Sequence, residues 1–81
     1  MTLEDTAAAM FSEDYKERFR AEYYQTKIRL DKLLEMMRLW TEEKLPFEPK
    51  CDPDTYMGQI SFMNAYLWIL GKRAKEEGIE L

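Results

Sequence analysis

The chain of 81 residues is long enough for one domain and carries a formal net charge of −4, from 16 acidic and 12 basic residues. Hydrophobic residues make up 46 % of it and charged residues 35 %, which is typical of a folded globular protein and not of a disordered segment. The acidic balance argues against a generic nucleic-acid binder, because such a protein would be basic, but it does not exclude a local basic pocket.

The N-terminal segment, residues 1–11, contains the signature of a short helix. Thr2 and Asp5 have the spacing of a capping box, so we predict a helix from Thr2 to Met10. The apolar patch that follows has acidic flanks and no basic region before it, so we expect no signal peptide. No run elsewhere approaches the roughly 18 apolar residues that a membrane span needs.

A long helix is predicted over residues 12–44, which contain neither glycine nor proline. Ser12 is the predicted N-cap, and the acidic residues after it favour the start of a helix. One face of this helix carries a seam at intervals of three and four, which is the spacing of a buried helical stripe. The seam comprises Tyr15, Phe19, Tyr23, Thr26, Leu30, Leu33, Met37 and Trp40.

All three prolines and the single cysteine of the chain lie within residues 46–53. Proline disfavours helical geometry in the residue before it, so the sequence predicts an elbow at residues 45–52. One cysteine, Cys51, cannot form an intramolecular disulfide, and a lone thiol is typical of a reducing cytoplasm.

A second long helix is predicted over residues 53–77. Asp52 is its expected N-cap, Pro53 suits the first helical position, and Gly78 is the expected stop. Its seam comprises Tyr56, Ile60, Met63, Leu67, Leu70 and Ala74. The predicted fold is therefore all-α: one helical domain, residues 1–81, built as a long antiparallel helical hairpin with a short N-terminal helix.

Each long helix also carries a second apolar stripe that a two-helix hairpin cannot bury. The short N-terminal helix, another copy or a different partner could cover these stripes, and we favour assembly into a homo-oligomeric helical bundle. The stripes comprise Tyr24, Ile28, Met36 and Leu39 on the first long helix and Phe62, Tyr66 and Ile69 on the second, with Trp68 adding apolar surface.

Residues for catalysis are missing. There is no histidine, the single cysteine has no base to activate it, and three isolated glycines form no phosphate loop. The acidic pairs at the helix ends are adjacent residues, which point apart on a helix and do not converge on a metal. We therefore expect a protein that is not an enzyme and that has no metal and no cofactor.

Folding the hairpin at the elbow brings aromatic and basic residues together at the opposite end of the molecule, where the first long helix begins and the second ends. We call this end the open end. Aromatic faces stack on bases, and cationic side chains hold phosphates, so the cluster is a candidate ligand-binding site. The alternative is that the tyrosines are seam residues and the cations a solvated rim. The candidate residues are Arg20, Tyr23, Tyr24, Lys27, Tyr66, Lys72 and Arg73.

The elbow offers a second candidate surface, where aromatics ringed by carboxylates could bind a basic protein surface. The alternative is a local cluster that closes the end of the bundle. The aromatic and apolar members are Trp40, Leu45, Phe47 and Tyr56, and the acidic members are Glu42, Glu43, Glu48, Asp52 and Asp54.

Two segments, SEDYKERFRAEYYQTKIRLDKLLEMM and MGQISFMNAYLWILGKRAKEEGIEL, carry a resemblance to a known family. They resemble the "YKxRxxxEYxxxxxRxxKL" and "QxxxMxxYLxILxxRAxxEGI" helices of a family of small proteins from tailed phages and prophages, including crAss-like phages. The resemblance covers about residues 12–81. It implies a bacteriophage accessory gene and carries no assigned activity, so no functional residues follow from it.

In shape alone, the architecture resembles phage sponges that sequester cyclic oligonucleotide signals. The resulting hypothesis is a non-catalytic counter-defence protein that sequesters a host cyclic-nucleotide immune signal in the host cell cytoplasm. One alternative is an inhibitor that binds a host defence protein such as a nuclease, in the manner of an anti-CRISPR. Another is a structural or regulatory phage oligomer. The expected partners are further copies of the chain and either a cyclic oligonucleotide or a host defence protein, without membrane or generic nucleic-acid binding.

Overall fold

The computed structural model describes residues 1–81 and contains three helices and no strand: α1 (Leu3–Ala9), α2 (Tyr15–Thr41) and α3 (Pro53–Glu77). α2 and α3 form an antiparallel hairpin, and α1 packs against α2 alone. The molecule measures 43 × 24 × 17 Å. The prediction of an all-helical hairpin with a short N-terminal helix is confirmed. None of the three helices combines the length and the apolar character that crossing a membrane requires.

The predicted capping box begins α1. The Thr2 hydroxyl accepts a hydrogen bond from the Asp5 N–H at 3.1 Å, and the Asp5 carboxylate accepts one from the Thr2 N–H at 2.9 Å. Both bonds satisfy donors that would otherwise lack a partner at the helix start. Thr6 is fully buried, with its hydroxyl bonded to the Leu3 carbonyl at 2.7 Å.

The prediction that Ser12 caps α2 is wrong. Asp14 is the N-cap, and its carboxylate accepts from the Lys16 N–H at 2.9 Å. Ser12 instead supports the cap, because its hydroxyl accepts from the Asp14 N–H at 3.0 Å and donates to Glu17 at 2.6 Å. Ser12 and Asp14 are both residue types that can cap a helix, and α2 starts after Asp14.

α2 also ends earlier than predicted, at Thr41 rather than Lys44. Glu43 adopts a left-handed conformation with φ of 59°, and the Lys44 N–H bonds back to the Leu39 carbonyl at 2.9 Å. This is a Schellman-type ending, which usually places glycine at the left-handed position. α3 ends in the same way, with Gly78 at φ 71° and the Ile79 N–H bonded to Ala74 at 2.8 Å.

α3 has the predicted start, since Pro53 opens the helix and the Asp52 carboxylate accepts from the Thr55 N–H at 2.7 Å. That backbone hydrogen bond holds the pKa of Asp52 below its ordinary value. The cap therefore stabilises the ionised form of the side chain.

We expect Asp52→Ala to lower the melting temperature by several degrees at neutral pH, and Pro53→Ala to lower it less, because the second change affects mainly chain entropy. A lowered folded-state pKa means that the stabilisation is present above the unfolded pKa of Asp52 and is lost as the pH falls through the folded one. Melting curves of both variants from neutral to acidic pH check this. Equal losses for the two variants at every pH would contradict the cap.

The buried core lies at the open end. Phe19, Leu70, Ala74 and Ile79 form one cluster there, with Tyr23 packed against it. The elbow end is held by an edge-to-face contact between Trp40 and Tyr56, with ring centroids 6.0 Å apart. Only eight of the 81 residues are buried, so the single chain has a small core concentrated at one end.

Candidate functional site

Arg73, a predicted ligand residue, belongs to a clasp between the two long helices. Its guanidinium donates to the Tyr15 hydroxyl at 2.8 Å and to the Glu77 carboxylate at 2.9 Å, and Tyr15 donates to Glu77 at 2.7 Å. The guanidinium also lies 5.1 Å from the centre of the Phe19 ring. We call Tyr15, Arg73 and Glu77 the open-end clasp.

The clasp shifts the titration of its own members. The hydrogen bond from Tyr15 and then the one from Arg73 hold the pKa of Glu77 below its ordinary value. The same bond to the Glu77 carboxylate raises the pKa of Tyr15. The hydrogen bonds therefore favour ionised Glu77, ionised Arg73 and protonated Tyr15. The clasp ties the start of α2 to the end of α3.

Arg20, also predicted as a ligand residue, holds the segment that follows α3. Its Nε donates to the Glu80 carbonyl at 2.7 Å, and Lys16 Nζ lies 3.4 Å from the Gly78 carbonyl. Ile79 between them is buried in the core cluster. Arg20 and Arg73 are therefore both engaged in holding the open end together.

Three further residues that were predicted to bind a ligand do not belong to the open-end clasp. Tyr24 meets Tyr23 edge to face at 5.2 Å, and Lys27 forms an exposed ion pair with Asp31 at 3.7 Å. Tyr66 is 43 % exposed and belongs to the uncovered stripe of α3. None of the three lines the groove that contains Tyr23 and Lys72.

The structure brings Tyr23 and Lys72 together in an open surface groove of about 550 Å³, which we call the open-end groove. Lys72 Nζ lies 5.7 Å from the centre of the Trp68 ring, within cation–π range. Neither Lys72 nor Lys75 forms an ion pair. The groove is lined by Tyr23, Leu67, Trp68, Gly71, Lys72 and Lys75.

The lining suits a ligand that is both flat and anionic. Trp68 is 68 % exposed and offers a ring face for stacking, while two ammonium groups without carboxylate partners stand beside it. No acidic side chain lines the groove. Gly71 has open space where a Cβ would be, so a ligand can approach the backbone of α3 closely there.

Sequence reasoning missed Trp68 and Lys75 as members of this site. Trp68 entered only as additional apolar surface, and Lys75 was not considered. A signal was present, because positions 68, 71, 72 and 75 have the spacing of one helix face. Considering each helix face for aromatic and basic residues together would have found the set.

Ion pairs neutralise part of the negative charge of the acidic residues near the elbow. Glu42 is bound by Arg38 and also lies 3.4 Å from Lys44. Phe47 is 57 % exposed, whereas Trp40 packs on Tyr56. No cluster of three or more histidine, cysteine or acidic side chains is arranged to hold a metal ion.

Comparison with known protein families gives a match over most of the chain. A family model described as Sequestin matches residues 13–76. No curated protein gives a significant match, and no solved structure does. The matched range includes every residue that lines the open-end groove.

Proposed function

The chain belongs to the Sequestin family, and from this premise we propose that it sequesters a small anionic ligand in the open-end groove, without turnover. The family name denotes sequestration. The observation that carries the proposal is the groove itself, which Trp68, Lys72 and Lys75 line together with no acidic residue in the lining.

The ligand class follows from the two kinds of contact that the groove offers. A nucleobase would stack on Trp68 or Tyr23, and the phosphates would bind the ammonium groups of Lys72 and Lys75. Both contacts are tolerant of base identity, because every base has a π-face and each lysine acts as a point charge. We propose a cyclic oligonucleotide signal of a host immune system as the ligand.

The biological setting that we propose is counter-defence by a bacteriophage protein in the host cytoplasm. The two helix motifs that resemble small tailed-phage proteins support it, and so does the sequestering role that the family name suggests. The protein would act as a homo-oligomer in which each copy presents one groove. Stoichiometric capture would lower the free signal below the level to which its receptor responds.

Trp68 provides a direct test, because the chain has only two tryptophans and the other, Trp40, lies at the elbow. In a Trp40→Phe variant, titration with cyclic di- and trinucleotides is expected to quench the remaining fluorescence as a base stacks on the indole. Trp68→Ala is expected to weaken binding by roughly 1–3 kcal/mol, the range found for single base–aromatic stacks. Calorimetric titration measures that loss.

The matched control is the Trp68→Phe variant, which keeps a stacking ring and leaves Trp40 as the only indole. It should bind with nearly unchanged affinity and give no fluorescence response. If nucleotide quenches the fluorescence of Trp40 and not that of Trp68, the ligand binds at the elbow and not at the open end. A folded protein that gives neither heat nor quenching with any nucleotide of the panel would refute the proposal.

A further inference from the structure

One face of α3 has no covering element. Phe62 is 80 % exposed, Ile69 48 % and Tyr66 43 %, and their spacing places all three on one face of the helix. α1 packs on α2 and does not contact α3. We call Phe62, Tyr66 and Ile69 the α3 stripe.

The sequence of α3 indicates burial on more than one side. Residues 55–71 contain no charged side chain, in a chain of which 35 % is charged. A helix whose apolar residues extend beyond the face that its one neighbour covers leaves apolar surface for another element to bury. α3 contacts only α2, so Phe62, Tyr66 and Ile69 have no covering helix within the single chain.

The accessible surface of the whole chain, which is elongated at 43 × 24 × 17 Å, is larger than that of a compact monomer. A compact monomer of this mass, 9.8 kDa, exposes about 5200 Å² by the usual scaling, whereas this chain exposes 5978 Å². The excess is on the order of 800 Å², which is what each partner buries in a standard protein interface. The single chain therefore has spare surface of the size that one dimer contact removes.

We propose that the α3 stripe is the contact between two copies of this chain, with their α3 helices antiparallel about a two-fold axis. The stripe is centred between Ala65 and Tyr66, at the midpoint of the helix Pro53–Glu77. A two-fold axis perpendicular to the helices places that midpoint against its own copy, so the stripe covers itself. This deepens the homo-oligomer of the proposed function by naming its interface.

The helix dipole favours the antiparallel arrangement over the parallel one. The side-chain charges do not decide it, because the first turn of α3 carries Asp54 while Lys75 in the last turn is followed by Glu76 and Glu77. Parallel packing would bring like helix-dipole ends together, whereas antiparallel packing alternates them. The uncharged middle of the helix adds no repulsion between two copies that are each acidic.

The surface is tested first by changing one ring. Phe62→Glu is expected to convert a dimer of twice 9.8 kDa into a monomer in sedimentation equilibrium at micromolar concentration, with unchanged helicity by circular dichroism. The matched control is Phe47→Glu, which adds the same charge at an exposed elbow phenylalanine and should leave the dimer intact. A wild-type protein that sediments as a monomer would overturn the proposal. This holds also if that monomer binds lipid vesicles or a host protein through Phe62.

The orientation is tested with cysteines introduced into a Cys51→Ser background. Ala65→Cys, at the midpoint, is expected to form a disulfide-linked dimer on mild oxidation. Thr55→Cys and Glu76→Cys should each fail to link to themselves and should link to one another when the two variants are mixed. Self-linkage at Thr55 or Glu76 would indicate parallel packing, and no linkage at Ala65 would place the contact elsewhere. Nucleotide titration of the Phe62→Glu monomer reports on the groove separately, so either proposal can fail alone.

Discussion

Lys72→Glu is expected to weaken strongly the nucleotide binding that we propose for the open-end groove, while the protein stays folded. The substitution removes an ammonium group that would hold phosphate and replaces it with a repelling carboxylate. Loss of a charge-assisted contact together with the new repulsion should weaken binding roughly a hundred-fold or more, about 3 kcal/mol. Calorimetric titration measures the affinity, and circular dichroism measures the fold.

The matched control for this variant is Lys32→Glu, which makes the same change of net charge at an exposed lysine of α2 that does not line the groove. It should bind nucleotide almost as well as the unmodified protein. An equal loss in both variants would mean that net charge alone governs binding and that the groove is not the site. Arg73→Glu is a poorer test, because it also breaks the clasp with Tyr15 and Glu77.

Leu70→Ala is expected to cause one of the largest losses of stability that a single truncation can cause in this chain. Leu70 is 1 % exposed and lies in the core cluster with Phe19, Ala74 and Ile79. Deleting its branched end should cost roughly 2–5 kcal/mol, the range for buried leucine sites. Small domains are stabilised by only about 5–15 kcal/mol in total, so this loss is a large fraction of the whole.

Urea denaturation followed by circular dichroism measures this loss. Ile69→Ala is the matched control, because the neighbouring side chain is 48 % exposed and does not belong to the core cluster. It should reduce the unfolding free energy much less, at a protein concentration low enough to keep both variants monomeric. Similar losses at the two positions would mean that stability is not centred on the open-end core.

Features set by a few neighbouring residues were predictable from the sequence. The capping box of Thr2 and Asp5, the Asp52 cap before Pro53 and the Gly78 ending all depend on local hydrogen bonds and backbone preferences. The end of α2 was not predictable, because Glu43 occupies the left-handed position that glycine usually marks.

The position of the candidate site along the hairpin was predictable, and helix-face spacing marks its α3 residues, but which of its cations are unpaired was not predictable. The hairpin geometry correctly places Arg73 at the open end. Which cations are free depends on contacts between residues about 60 positions apart, such as those of Tyr15 with Glu77 and of Arg20 with Glu80. Those contacts engage two arginines and leave Lys72 and Lys75 without ion-pair partners, and the helix-face spacing alone does not show which cations are left unpaired.

The open-end clasp affects both the rate at which a ligand would bind in the groove and the tightness with which it would be held. The groove has walls from both long helices, Tyr23 from α2 and Trp68 from α3, and Tyr15, Arg73 and Glu77 fix those helices to each other at the same end. A site with fixed walls is preorganised, so binding does not have to offset the entropy of ordering it. In the signal capture that we propose, a preorganised groove favours rapid binding and a long residence time.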